Sequence, residues 1–119
     1  RTAGPGHFED RAISAGTNPY LAMAAYLTAG LDGIKRGLEP GEPNLGNMYE
    51  RPRAEIDAAG IKLLPQSLNE AIDELRRDEV VQSALGPIAG EFIAMKANEW
   101  GEYDGQVSRW EIDQYLTSF

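Results

Sequence analysis

Residues Phe8–Gly33 read FEDRAISAGTNPYLAMAAYLTAGLDG, three charges in a row followed by one of the most apolar stretches of the chain. Asn18-Pro19 divides the stretch, because Asn accepts hydrogen bonds from first-turn amides and Pro fits the first helical position. Beyond it, apolar residues recur at alternating spacings of 4 and 3, which predicts one continuous apolar face on a helix. We therefore predict a buried helix over residues 18–38, ending near Gly37. The stripe consists of Tyr20, Ala24, Leu27, Leu31, Ile34 and Leu38.

The charges before Asn18 lie in FEDRAI, which we predict to be a short strand. Alternate side chains of a strand share a face, so Glu9 and Arg11 point the same way and Asp10 points the other way. A carboxylate is a hard ligand for Mg²⁺ or Mn²⁺, and a guanidinium binds phosphate or carboxylate in a fork geometry. The pair therefore suggests a site for a metal-phosphate substrate. The alternative is a surface ion pair, which contributes about 0–1 kcal/mol.

Composition excludes several classes of function. The chain has 119 residues, the length of one compact domain, and a net charge of −8. That acidity argues against nucleic acid as a partner, because a general binder needs a basic face. Cysteine is absent, so there is no disulfide, thiolate metal site or cysteine nucleophile, and a reducing, cytoplasmic location is favoured. No apolar run is long enough to suggest a membrane as partner.

The rest of the chain divides by its turn and capping signals. Residues 1–17 form the strand and a turn, residues 39–66 are a Pro- and Gly-rich loop with one weak helical turn, and residues 67–119 are helical. Two capping boxes, S-x-x-E, begin at Ser67 and Ser108. The region after Pro87 is therefore either one long helix or two, divided near Ser108. The predicted fold class is mainly α with a short N-terminal strand.

Further chemistry-bearing residues each have a functional and a structural interpretation. His7 is the only histidine, so it is either a base, ligand or nucleotide contact, or simply a polar surface residue. Tyr49, in the loop, is either a modification site or an anchor that packs the loop down. Trp100, Tyr103 and Trp110 suggest a stacking platform, but their helical spacing favours a core role.

The order of these blocks resembles the glutamine synthetase family. An E-x-R strand, a short turn and the NPYL…AGLDGI helix are followed by EPGEPNLGNMYE, LPQSLNEAIDELRRDEVVQSALG and KANEWGEYDGQVSRWEIDQYL, in the family's order. The resemblance covers almost the whole chain. It implies that the chain is the helical C-terminal segment of an α+β glutamine synthetase catalytic domain, and a fragment of a longer protein.

The resemblance also implies roles for four residues. The family forms an amide from glutamate and an amine with ATP, through a γ-glutamyl phosphate intermediate. By motif match, Glu9 binds a divalent ion, Mg²⁺ or Mn²⁺, and Arg11 lines the substrate and phosphate region as the catalytic residue. Arg1 matches an arginine near the nucleotide. His7 stands where most members carry a second arginine, also near ATP.

The partners implied by the resemblance are glutamate, ATP and ammonia or another amine, within a homo-oligomer that in this family is a dodecamer. The 119-residue chain alone is expected to be inactive, because most of the family's metal-binding and ammonia-site residues precede this segment. An alternative function is a non-catalytic structural or interaction module, which the replacement at His7 favours. A third interpretation is an unrelated acidic helical bundle.

Overall fold

The computed structural model describes residue 6 and residues 9–116. Within these residues the chain is helical, with one short 3-10 helix before the fifth α-helix and no strand. The predicted mainly α architecture is therefore confirmed. The helices are α1 (Pro19–Arg36), α2 (Arg53–Ala58), α3 (Leu68–Arg77), α4 (Glu79–Leu85), the 3-10 helix (Gly86–Ile88), α5 (Ala89–Asp104) and α6 (Arg109–Tyr115).

Helix α1 begins and ends where its capping residues predict. The Asn18 side chain accepts hydrogen bonds from the backbone N–H of Tyr20 at 3.0 Å and of Leu21 at 3.4 Å. Gly37 follows the last helical residue in the left-handed region, with φ 60° and ψ 39°. A residue without Cβ adopts that conformation at no steric cost, so the chain leaves the helix there.

Capping residues also set the later helices. At the start of α6, Ser108 Oγ accepts from the Glu111 N–H at 3.2 Å, and Glu111 accepts from the Ser108 N–H at 2.7 Å. This full capping box divides the long helical region into two helices. At the start of α3, Ser67 Oγ accepts from the Glu70 N–H, but Glu70 bonds to the N–H of Gln66, one residue before the cap.

The predicted N-terminal strand is wrong. Residues 9–13 have no regular structure, and the Ala12 N–H donates to Asp10 Oδ1 at 2.7 Å. Such a local side-chain bond satisfies a backbone group that a strand would pair with a neighbour. The described part of the chain offers no second strand, and a lone strand leaves its backbone N–H and C=O groups unpaired.

The predicted burial of α1 is also wrong for the chain as it stands. No residue of α1 is buried, and its predicted stripe is exposed, with Leu27 at 59% and Ile34 at 78%. Helix α1 packs against α4. Ala24 is the one half-buried member of the stripe, and the other half-buried positions of α1 lie off it and include Leu21, Ala25, Thr28 and Asp32.

The buried apolar residues of the described chain lie mainly where α3, α4 and α5 meet. They are Ile56, Ile72, Leu85 and Ala89, each 9% exposed or less. The radius of gyration is 18.5 Å, whereas a compact domain of this length has about 13–14 Å. The described helices therefore form an open arrangement measuring 60 × 40 × 24 Å, more extended than the length alone suggests.

None of the described helices combines the length and the hydropathy required to cross a bilayer. Although α1 has 18 residues, Lys35, Arg36 and Asp32 lie in its last two turns.

Candidate functional site

The candidate site is the Glu9–Arg11 pair in the segment that precedes α1. Arg11 Nε donates to Glu9 Oε1 at 2.5 Å, so the two side chains lie on the same side of the chain. The side chains of Arg11 and Glu9 are 76% and 37% exposed, respectively. The hydrogen bond and the charge of Glu9 raise the pKa of Arg11 further above its usual range. The pair therefore presents an accessible guanidinium beside a partly exposed carboxylate.

Asp10, between the two site residues, is bonded to α1. The Tyr26 hydroxyl donates to Asp10 Oδ2, while Oδ1 accepts from the Ala12 N–H. These two donors, Tyr26 first, lower the pKa of Asp10 by stabilising its anion. The same bond raises the pKa of Tyr26, because the hydroxyl proton is held by the carboxylate. Sequence reasoning missed this contact, since the two residues are 16 positions apart and no motif joins them.

A compact turn connects the pair to α1. The Thr17 N–H donates to the Ser14 carbonyl oxygen at 3.1 Å, and the Gly16 N–H donates to Ser14 Oγ at 3.2 Å. Asn18 then caps the helix directly after the turn. The pair is thus held close to the start of α1 by consecutive local bonds.

A pocket of about 630 Å³ opens between this turn and the first turns of α1. Its lining is mostly apolar and includes Ile13, Met23 and Leu27, with the hydrogen-bonded Asp10 and Tyr26 at one side. Glu9 and Arg11 do not line it. The pocket and the charged pair therefore lie on different sides of the segment.

The residues described here do not form a metal centre by themselves. Between residues 9 and 116, and at residue 6, no three His, Asp or Glu side chains are grouped as ligands. Glu9 Oε1 is bonded to Arg11, so the pair offers at most one carboxylate to an ion. Mg²⁺ and Mn²⁺ require about six oxygen ligands, which the described residues do not bring together.

The other residues singled out in the sequence have different outcomes. Arg1 and His7, the predicted nucleotide contacts, lie outside the described residues. Tyr49 is fully exposed, so it does not pack the loop down as an anchor. Its N–H donates to Asn47 Oδ1 at 3.2 Å in a turn.

The aromatic residues near the C-terminus form two separate pairs instead of one platform. The Trp100 and Tyr103 rings lie 5.7 Å apart between centroids, and the Trp110 and Tyr115 rings are 6.0 Å apart and edge-on. Trp110 is 63% exposed and Tyr103 is 69% exposed, so the core role predicted for both is wrong in this chain. Trp100 is half-buried.

Comparison with known proteins places these features in a family. The family model "Glutamine synthetase, catalytic domain" matches residues 3–115. A glutamate–methylamine ligase of Methyloversatilis universalis is 50% identical over 114 residues, which are 96% of this chain and 26% of that protein. A glutamine synthetase of Staphylococcus aureus strain MW2 is 46% identical over 112 residues, 93% of this chain and 25% of that protein.

A solved structure, described as "Apo GmaS without ligand", has the same fold with a TM-score of 0.73 and 38% sequence identity. The match covers 85% of this chain and 23% of that one. The chain thus spans about a quarter of the length of the curated relatives it matches. Because the family model covers nearly every residue, the chain belongs to the glutamine synthetase catalytic-domain family.

Proposed function

We propose that this chain is the C-terminal part of an ATP-dependent glutamate–ammonia or glutamate–amine ligase that acts through a γ-glutamyl phosphate. The observation that carries the proposal is the Glu9–Arg11 pair, held in contact before α1 within a segment that belongs to the catalytic-domain family. The proposal gives the complete protein glutamate, ATP and an amine as substrates. It gives the isolated chain no ligase activity, since its described residues supply only one small part of such a site.

The proposed catalytic role of Arg11 follows from its chemistry. Its guanidinium is always charged and presents several donors in a plane, which matches the oxygens of a phosphate or carboxylate. Transfer of a phosphoryl group onto a carboxylate brings several negative oxygens together. A fixed cation at that place lowers the barrier by stabilising the charge of the transition state. Arg11 is exposed enough to reach a substrate from its present position.

The proposed role of Glu9 is narrower. Its carboxylate would be one ligand of a divalent ion, Mg²⁺ or Mn²⁺, and would position Arg11 through the bond between them. Arg1 and His7 would contact ATP. The assembly of the complete protein as a homo-oligomer belongs to the same proposal and rests on the family alone.

The test is an assay of the protein encoded by the complete gene, with glutamate, ATP and either ammonia, methylamine or a polyamine. The expected products are phosphate and a γ-glutamyl amide, identified by mass spectrometry. Replacement R11Q is expected to lower kcat/KM about a hundredfold or more, as removal of a transition-state donor does. R109Q is the matched control, because Arg109 is also exposed and paired with a carboxylate, that of Asp113, but lies on α6.

The assay must also identify the amine. The two relatives named above carry different names, glutamate–methylamine ligase and glutamine synthetase, and their sequence identities to this chain are similar, at 50% and 46%. Absence of phosphate release with every amine would contradict the ligase proposal. It would favour the non-catalytic module, for which the histidine at position 7 is the supporting feature. Equal loss of activity in R11Q and R109Q would contradict the role of Arg11 alone.

A further inference from the structure

The segment of residues 9–13 is bonded to α1 through a side chain that is not itself a predicted site residue. Asp10 accepts from the Tyr26 hydroxyl with one carboxylate oxygen and from the Ala12 N–H with the other. Tyr26 lies in the second turn of α1 and is half-buried. The bond therefore joins a segment without regular structure to a capped helix, 16 residues away in sequence.

The position of Asp10 determines where its neighbours point. The Glu9 and Arg11 side chains, on either side of Asp10 in the sequence, contact each other and therefore lie together. Asp10 lines the apolar pocket beside α1, whereas Glu9 and Arg11 do not line it and contact each other. Holding Asp10 against Tyr26 thus fixes the backbone between Glu9 and Arg11, while the pair itself stays outside the pocket and accessible to solvent.

Packing alone does not explain a tyrosine at position 26. A phenylalanine would fill the same space between Ala22, Met23 and the turn, whereas the hydroxyl adds the bond to Asp10. The lowered pKa of Asp10 and the raised pKa of Tyr26 are consistent with the geometry.

We propose that Tyr26 is a positioning residue, whose hydroxyl holds Asp10 and thereby fixes the direction of the Glu9–Arg11 pair. The geometric part of this inference concerns the chain alone. Its meaning for catalysis rests on the proposed ligase function. The two parts therefore need separate measurements.

The geometric part is tested by NMR on the ¹⁵N-labelled 119-residue chain, comparing Tyr26→Phe with Tyr20→Phe. Tyr20 lies on the same helix with 84% of its surface exposed, so it controls for loss of a hydroxyl from α1. Tyr26→Phe is expected to shift the Arg11 Nε–H resonance and to accelerate its exchange with water several-fold, as well as that of the Ala12 amide. Tyr20→Phe is expected to leave both unchanged.

A second variant, Asp10→Ala, removes the acceptor and must reproduce the change at Arg11 Nε–H. The double variant is then expected to add little to either single change, because both remove the same bond. An Arg11 resonance that responds equally to Tyr26→Phe and Tyr20→Phe, or to neither, would overturn the inference. So would full additivity of the two variants.

The catalytic part is tested in the protein encoded by the complete gene. Tyr26→Phe is expected to lower kcat or raise KM for glutamate about tenfold, at an unchanged thermal unfolding midpoint. An active ligase whose Tyr26→Phe variant has wild-type kinetics would overturn the positioning role. A wild-type protein without ligase activity would overturn the proposed function instead, while the NMR comparison would still decide whether Tyr26 holds the pair.

Discussion

Helix α1 and the group formed by α3, α4 and α5 differ in what covers them. Both regions have side-chain caps at their starts, from Asn18 on α1 and from Ser67 and Asp78 on α3 and α4. Three of the buried apolar residues, Ile72, Leu85 and Ala89, lie in the group, whereas α1 has none. Capping is thus satisfied within a few residues of chain, but burial of a stripe requires a partner surface.

The difference has a direct consequence for α1. Its side facing α4 is half-covered, and the apolar stripe of Tyr20, Leu27, Leu31, Ile34 and Leu38 remains in contact with solvent. Exposed apolar patches of this kind mark surfaces that contact other protein. The relatives are about four times as long as this chain, as the coverage of 26% and 25% indicates. We expect the stripe to be covered in such a longer protein.

The largest expected effect contrasts the two regions at one residue each. Ile72→Ala removes a side chain that is 3% exposed, and is expected to lower the free energy of unfolding by about 2 kcal/mol or more. Leu27→Ala on α1, where the leucine is 59% exposed, is expected to cost less than about 1 kcal/mol. Urea unfolding followed by circular dichroism measures both. An equal loss of unfolding free energy in the two variants would show that burial does not distinguish the two regions.

A smaller effect concerns the stripe itself. The double replacement of Leu27 and Leu31 by Gln is expected to weaken self-association and binding of a hydrophobic dye by the isolated chain. Each replacement is expected to remove about 1 kcal/mol of the free energy of association, because less apolar surface is buried. A loss of that size raises the dissociation constant several-fold. Sedimentation velocity measures the association.

The matched control for the stripe is Leu45→Gln, because Leu45 is 91% exposed but lies in the loop between α1 and α2. If it reduced association as much as the stripe variant does, general hydrophobicity rather than the stripe would be responsible. Unchanged helicity of the stripe variant, measured by circular dichroism, ensures that α1 is still formed.

The same contrast explains what the sequence could predict. The start of α1 at Asn18-Pro19 and its end at Gly37 depend on bonds between nearby residues, and both were predicted. The division at Ser108 was one of the two alternatives that the sequence left open. The strand over FEDRAI was not found, because a strand needs a neighbour that no local pattern guarantees. Periodicity identified the stripe of α1 correctly as apolar, but it carries no information about which surface covers it.

In the candidate site, too, contacts between neighbouring residues were predictable and contacts between distant residues were not. Contact between Glu9 and Arg11 was predicted from the alternation of side chains in a strand, and the two side chains are in contact although the segment is not a strand. The bond from Tyr26 to Asp10 joins residues 16 apart and has no signature in composition, periodicity or motif. Only the folded arrangement of the turn on α1 reveals it.

An intermediate effect tests whether the caps act locally. Asn18→Ala removes the acceptor of two first-turn N–H groups, and is expected to cost about 1 kcal/mol of stability and to fray the start of α1. Asn98→Ala in the middle of α5 is the matched control, since it removes only an exposed bond to Glu102 and Ala is the better helix former. Amide hydrogen exchange at Tyr20 and Leu21 localises the change. Fraying that extended to α5 would contradict local action.

The smallest effect is a pH dependence confined to α6. Hydrogen bonds from the Ser108 N–H, and then from its side chain, lower the pKa of Glu111 in the folded helix. A carboxyl with a lowered pKa stabilises the fold at pH values above its ordinary pKa of about 4.3, and this stabilisation is lost as the pH falls through the lowered value. The amide shifts of Arg109–Tyr115 are therefore expected to lose helical character between about pH 5 and pH 3.

Glu111→Gln keeps the geometry of the capping box without a titrating group, and it also keeps the Arg109–Asp113 ion pair. An equal loss of helix in this variant would show that Glu111 is not the source of the pH dependence, and an unchanged helix in the parent chain would mean that the box is held by Ser108 alone.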